Sequence, residues 1–412
     1  MKIKTITVID IGSTKVCCCI SNVSDDGKFN IVGVGHCACF GVKSGIIVDM
    51  GLTEKCIATA VESAEKMADY RVKSVYVNIS GKNVQSKIVN SSVNVGGRII
   101  QYEDVMHLFS VCEEKVENDN EEIIHSVPIV YAVDSILGIK NPVGMIADSF
   151  SGSIDLVSVS RTQIQNIFVC LSRCHLNPIG VIASGYASGL SVLDDEEDQD
   201  NQIVIDFGGE TTSIAFFYNG IFCGTEFIPL GGKNITRDIA QGLNISMANA
   251  ERIKTLHGAA FASKDDQRDM IFVPVMEDSD VIDLQQISKS TLNQIIQPRV
   301  EEILAEIKKK IAESVFKNDF SKTVTITGGG SQLTGLRDFA AEKLNKKVKL
   351  KNMNQYGQIG GITIGSDFSV AIGMIKLALL EENNSLKKEI PESGYQKLNF
   401  IKKILLWIEN NL

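Results

Sequence analysis

Two stretches of this chain repeat one another about half a chain apart. VIDIGSTKV occupies residues 8–16 and VIDFGGETT occupies residues 204–212. Each is an apolar run of strand character that ends in Asp, then Gly, then small hydroxyl-bearing residues. Apolar–Asp–x–Gly is by itself an ordinary way to end a strand. Its recurrence with the same order of residue types is far more restrictive. It points to two related half-molecules facing each other across a cleft. At 412 residues the chain is in any case too long for one compact core.

Turns of this kind have readable chemistry. Gly12, Gly208 and Gly209 would let backbone N–H groups approach a polyphosphate where a Cβ would stand in the way. Ser13, Thr14, Thr211 and Thr212 add hydroxyl donors, and Lys15 adds a positive charge. Asp10 and Asp206 would hold Mg2+ through its waters, because that ion keeps most of its hydration shell. Plain β-hairpins with glycine turns are the competing explanation. A third segment, TGGGSQLTGL (327–336), follows another strand. There Gly328, Gly329 and Gly330 would let a flat adenosine pack against backbone, with a helix start facing the phosphates. It fits neither the G-x-x-x-x-G-K-[ST] loop nor the spacing of a dinucleotide fingerprint.

Hydrophobic periodicity predicts further strands at 29–40 and 74–81 and helices near 53–69, 162–174, 233–242, 246–257, 292–316 and 366–379. Between about 83 and 160 the character changes to short β segments around one helix near 103–117, which reads as an inserted α+β subdomain. The net charge of −9, without a large basic block, argues against a nucleic-acid partner. Ten cysteines include Cys17, Cys18 and Cys19 side by side. A zinc site from Cys170, Cys174 and His175 has poor spacing, and small buried hydrophobes in a reducing compartment are the better reading. The start, MKIKTITVID, has no apolar h-region, and no run approaches the roughly 20 apolar residues of a spanning helix. A cytoplasmic protein is expected.

The C-terminus stands apart. Residues 381–396 are polar, contain Pro391 and Gly394, and read as a flexible linker. Residues 397–412, KLNFIKKILLWIENNL, form an amphipathic helix on a helical projection. Leu398, Ile401, Leu405, Ile408 and Leu412 make one stripe, widened by Phe400, Ile404 and Trp407, with Leu406 alone out of pattern. Lys402 and Lys403 suit anionic lipid, and Trp407 suits the headgroup boundary. A helix of about 24 Å with a polar half cannot span a bilayer. A terminal core helix is the alternative, and the linker argues against it.

The three glycine-rich segments, in this order, resemble the actin/Hsp70/sugar-kinase ATPase superfamily. Within it the chain resembles the FtsA family of bacterial cell-division proteins along nearly its whole length. PLGGKNITRDIAQGLNISMANAERIKTLHG (229–258), IIQPRVEEIL (295–304), the insert and the tail carry that likeness. The resemblance implies an α/β actin-like fold of two related halves around a nucleotide cleft. It implies subdomain 1A at 1–82, 161–195 and 366–380, an inserted subdomain 1C at 83–160, 2A at 196–232 and 306–365, and 2B at 233–305. ATP with Mg2+ is the implied cofactor. Gly231, Gly232 and Lys233 would lie near ribose and phosphates, and Glu251 and Lys254, one helical turn apart, near ribose and adenine. Without the flanking match, Glu251 and Lys254 would be read as a surface pair.

The implied partners are the C-terminal peptide of the tubulin-like division protein FtsZ, docking on 233–305 with Arg299 in its surface, a second copy of the chain in a filament, and later division proteins on the insert. Arg299 reads equally well as a salt-bridge partner of Glu302 or Glu306. Anionic membrane lipid is the fourth expected partner, which places the protein on the cytoplasmic face of the cell membrane. Two departures matter. Ser184 stands where many superfamily members have the Glu that positions the attacking water, and Glu210 stands where the second loop usually has Gly. Slow or negligible ATP hydrolysis is therefore expected. A small-molecule kinase would need a catalytic Asp beside a substrate pocket, and a chaperone would continue into a peptide-binding domain; neither needs the tail.

Overall fold

The computed structural model describes residues 4–24, 27–116, 118–193, 201–263, 265–274, 284–314 and 323–387. The first half is built on strands β1 (Lys4–Ile11), β2 (Lys15–Val23) and β3 (Phe29–Ala38), a small hairpin of β4 (Val42–Lys43) and β5 (Ile46–Ile47), helix α1 (Met50–Ala68) and β6 (Ser74–Ile79). Asp49 caps α1 by accepting the Leu52 N–H at 2.9 Å. The insert follows as β7 (Gln85–Ile99), α2 (Tyr102–Glu114), β8 (Glu121–Val133), β9 (Ile136–Ile139) and β10 (Ile146–Ser160). The chain returns through α3 (Arg161–Arg173), β11 (Asn177–Ala183) and α4 (Ser184–Val192).

The second half comprises β12 (Gln202–Phe207), β13 (Thr212–Tyr218), β14 (Ile221–Ile228), α5 (Gly232–Leu243), α6 (Met247–His257), the hairpin β15 (Met270–Pro274) and β16 (Leu284–Ser288), α7 (Lys289–Glu313), β17 (Thr323–Thr327), α8 (Leu336–Leu344) and β18 (Lys347–Leu350). Helix α9 (Ser369–Lys387) crosses back to the first half.

The echo in the sequence is an echo in topology. The first sheet runs β11-β6-β1-β2-β3 and the second β18-β17-β12-β13-β14. In both, the strand ending in Asp is central, antiparallel to the next strand in sequence and parallel to its other neighbour. Val8, Ile9, Val204 and Ile205 are buried, as expected of strands covered on both faces. Between the sheets lie two helices, α9 on the first and α4 on the second. Their axes meet at small residues: a Cβ on Gly373 would fall 1.6 Å from the Ala187 carbonyl oxygen. One apolar core continues from the first sheet through this pair to Phe217 and Phe222 of the second. Tyr186 of α4 stacks on Phe222 at 4.1 Å and meets His125 of β8 edge-on at 5.3 Å, which ties the insert to both halves.

Two expectations change. The insert strands are long: β7 and β10 have 15 residues each. Gly96 and Gly97 lie within β7 at positive φ, opposite a register shift between Ala147 and Ser149. Finally, α9 continues to Lys387, into the segment read as linker at 381–396, because EENNSLK contains no Pro or Gly to stop it. The amphipathic segment 397–412 lies outside the described residues.

Candidate functional site

The echoed loops make the same turn. The Gly12 N–H donates to the Lys15 carbonyl at 3.0 Å, and the Gly208 N–H donates to the Thr211 carbonyl at 3.0 Å. They meet across a cleft between the halves, and a Cβ on Gly209 would fall 2.3 Å from Thr14 Cγ2. The cleft holds a cavity of about 400 Å3, within the range of small-ligand sites. Its lining includes Asp10, Gly12, Ser13, Thr14, Lys15, Asp206, Gly208, Gly209, Thr211, Gly232, Lys233, Glu251, Lys254, Gly328, Gly329 and Gly330. Residues expected from four separate segments thus share one cavity.

Asp10 and Asp206 end the two central strands on opposite sides of it. Burial pushes the Asp10 carboxyl up to about 6, with Lys15 pulling it down and Asp367 pushing it up. Asp206 is pushed up to about 7, first by burial and then by the charge of Asp10, while a hydrogen bond from Ser188 opposes. Two desolvated carboxylates that repel each other suit a divalent cation between them. No set of three or more His, Cys, Asp or Glu able to hold a metal is present among the described residues. Two carboxylates with the remaining ligands supplied by water and phosphate fit Mg2+. Gly328 sits at φ +86°, and a Cβ there would fall 2.2 Å from Asp206 Oδ1, so this position needs glycine on both counts.

The lysines are already engaged. Lys15 Nζ lies 2.5 Å from Asp367 Oδ2 and 3.8 Å from the centroid of the Phe368 ring. Lys233 Nζ lies 3.1 Å from Glu210 Oε1 and donates to the Ser13 carbonyl at 3.3 Å. Lys254 Nζ donates to Glu251 Oε2 at 2.8 Å, Thr236 Oγ1 at 2.8 Å and the Gly232 carbonyl at 3.2 Å. Lys254 therefore points inward, while its i,i+3 partner Glu251 stays half exposed at the rim. The ionisable lining is five carboxylates (Asp10, Asp206, Glu210, Glu251, Asp367) against three lysines. A polyphosphate entering it needs an accompanying cation.

Some expected residues serve elsewhere. Thr212 is fully buried outside the lining, and its Oγ1 donates to the Leu230 carbonyl at 2.8 Å. Its alternation along β13 turns it into the half rather than the cleft. Gly231 is also absent from the lining; a Cβ there would fall 2.6 Å from the Gly209 carbonyl, so its role is to seat α5 on the second loop. Arg299 lies on α7, its Nε 2.5 Å and Nη2 3.0 Å from the two Asp238 oxygens, and its Nη1 bonds Glu302. The salt-bridge reading of this guanidinium therefore describes its geometry.

Residues not singled out also line the cavity, chiefly Asn78, Ser213 and Asp367. Asn78 donates to Asp10 Oδ1 at 2.6 Å and to Ser184 Oγ at 3.0 Å, and accepts the Ile11 N–H at 2.6 Å. A polar residue near the end of the apolar strand SVYVNISG was the available signal for it.

The cleft can be set beside known proteins. The family model described as Cell division protein FtsA matches residues 203–373, and the SHS2 domain inserted in FTSA matches residues 81–158. The Cell division protein FtsA of Agrobacterium fabrum is 35% identical over 380 residues, covering 90% of this chain and 86% of that protein. The chain belongs to the FtsA family. The FtsA of Neisseria meningitidis serogroup B is 30% identical over 412 residues, covering 98% of each chain. Among solved structures, the PilM–PilN type IV pilus biogenesis complex aligns with a TM-score of 0.64 at 15% identity, over 91% of this chain and 98% of that one. MreB5 of Spiroplasma citri bound to ADP aligns with a TM-score of 0.55 at 11% identity, over 93% and 98%. The fold is thus that of actin-like ATPases, carrying the FtsA insert. None of the helices among the described residues is long and apolar enough to cross a membrane.

Within this FtsA-family cleft, Ser184 opens α4. Its Oγ donates to the Ile79 carbonyl at 3.1 Å while accepting from Asn78. The hydroxyl at the position expected for a water-positioning carboxylate is committed to its own scaffold.

Proposed function

We propose that this protein binds ATP with Mg2+ between the echoed loops, polymerises as an actin-like filament, and tethers the FtsZ ring to the cytoplasmic face of the membrane at the division site. The matching turns of Gly12–Lys15 and Gly208–Thr211, facing across one cavity, carry the nucleotide part of this reading. Asp10 and Asp206 would hold the cation through water, Gly12, Ser13, Thr14, Gly208, Gly209 and Thr211 would meet the phosphates, and Gly328, Gly329 and Gly330 would back the adenosine. Bound nucleotide draws both halves onto one ligand and so selects a protomer shape for assembly.

Membership in the FtsA family supports the division role. Residues 397–412 would lie in the membrane surface through Leu398, Phe400, Ile401, Ile404, Leu405, Trp407 and Ile408, with Lys402 and Lys403 on anionic headgroups. The FtsZ C-terminal peptide would dock on 233–305, where a peptide carboxylate would share Arg299 with Asp238 and Glu302. The insert would recruit later division proteins.

The test is co-sedimentation of FtsZ with vesicles containing anionic lipid. The full chain should carry FtsZ to the pellet, and a chain ending at Gln396 should leave it in the supernatant. Equal recruitment by both chains would remove the tail from the mechanism.

A further inference from the structure

The cleft contains a connection between the halves made by the protein's own charge. Glu210 extends from the second loop, and its side chain is 8% exposed. One oxygen, Oε2, accepts the Ser44 N–H of the first half at 2.8 Å; the other, Oε1, lies 3.1 Å from Lys233 Nζ. Lys233 in turn donates to the Ser13 carbonyl at 3.3 Å, also in the first half. The Ser44 N–H is firmly presented. Ser44 and Gly45 form the two-residue turn of the β4–β5 hairpin, both at positive φ, and Gln163 Nε2 pins that turn by donating to the Gly45 carbonyl at 2.9 Å and the Ser80 carbonyl at 2.8 Å.

A carboxylate that accepts a backbone N–H of the first half and pairs with a lysine of the second bridges the two halves as a bound anion would. We propose that Glu210 is an internal latch, an anion of the chain itself that joins the two halves where a polyphosphate would join them. Closure of the cleft then depends less on nucleotide than it would with Gly at this position. The inference rests on the reading of the cleft as a nucleotide site.

Amide hydrogen exchange on the full chain tests it, comparing wild type with Glu210→Gln, each with and without MgATP. In wild type the Ser44 amide should be protected without nucleotide, and MgATP should change its exchange by less than about twofold. In Glu210→Gln the same amide should exchange about tenfold faster, since the bond to a charged acceptor is lost. MgATP should restore protection in the variant, which a purely structural defect would not allow. Rapid Ser44 exchange in wild type without nucleotide overturns the latch, and this arm needs no variant to fold. Equal exchange in the two proteins, or no recovery in a variant that binds MgATP, overturns it as well. Equilibrium dialysis of wild type against MgATP separates the two ideas: absence of binding removes the nucleotide reading, while the nucleotide-free comparison still decides whether Glu210 joins the halves.

Discussion

At the scale of single residues the cleft is defined by groups that are already satisfied. Asn78 spends its amide on Asp10, Ile11 and Ser184, and Ser184 spends its proton on the Ile79 carbonyl. Neither is left to orient an attacking water. In-line hydrolysis loses its main protein contribution under those conditions. Purified full-length protein with MgATP should therefore show little steady-state phosphate release, read by a coupled phosphate assay; sustained multiple turnover would contradict this assignment. Thr212 and Gly231 teach a second lesson at this scale. Both belong to the motifs, yet strand alternation sends one into the core and helix seating uses the other. A motif specifies a loop, and the register decides which of its members face the ligand.

At the scale of elements, the insert is joined to the rest through β14, which packs against β7, β8 and β10. Asp155 of β10 is buried there, with Oδ1 accepting from Ser86 Oγ at 2.6 Å and Oδ2 without a hydrogen-bond partner among the described residues. Burial pushes its carboxyl from 3.8 up to about 7. A raised carboxyl pKa means that the folded state binds the proton more tightly than the unfolded chain does. The unfolded chain releases it near 3.8 and the folded one near 7, so Asp155 lowers stability progressively as pH rises through that window and no further above it. Asp155→Asn removes the ionisation. Its melting temperature above about pH 7 should exceed that of wild type, by an amount equivalent to a few kcal/mol, and the difference should vanish toward pH 4. Chemical denaturation across the same range checks the sign, and a variant less stable than wild type at every pH would refute it.

At the scale of the molecule, the two-half plan was legible because the strand–Asp–Gly unit occurs twice, and both copies occupy the centre of a sheet. The site was legible where glycines and acids end those strands. Asp367 was not, since a lone acid before a helix carries no periodic signal and reaches Lys15 only through the crossover of α9. The insert strands were read as short because their internal glycines and serines mimic turns, and pairing across the sheet overrode that local tendency. The helix pair between the sheets has a further consequence. Gly373 brings α9 against the Ala187 carbonyl, so the joint is backbone on backbone, with no long side chains interlocked across that point. Such a joint leaves no room for a side chain and sets how closely the two helices approach. Gly373→Ala inserts a wedge into it. Small-angle scattering of the folded variant should report a wider separation of the halves, and an unchanged profile would show that the spacing is set elsewhere. The spacing of the two bodies is thus held by a clearance of atomic width, about one helical turn from Val370 in the lining of the cleft.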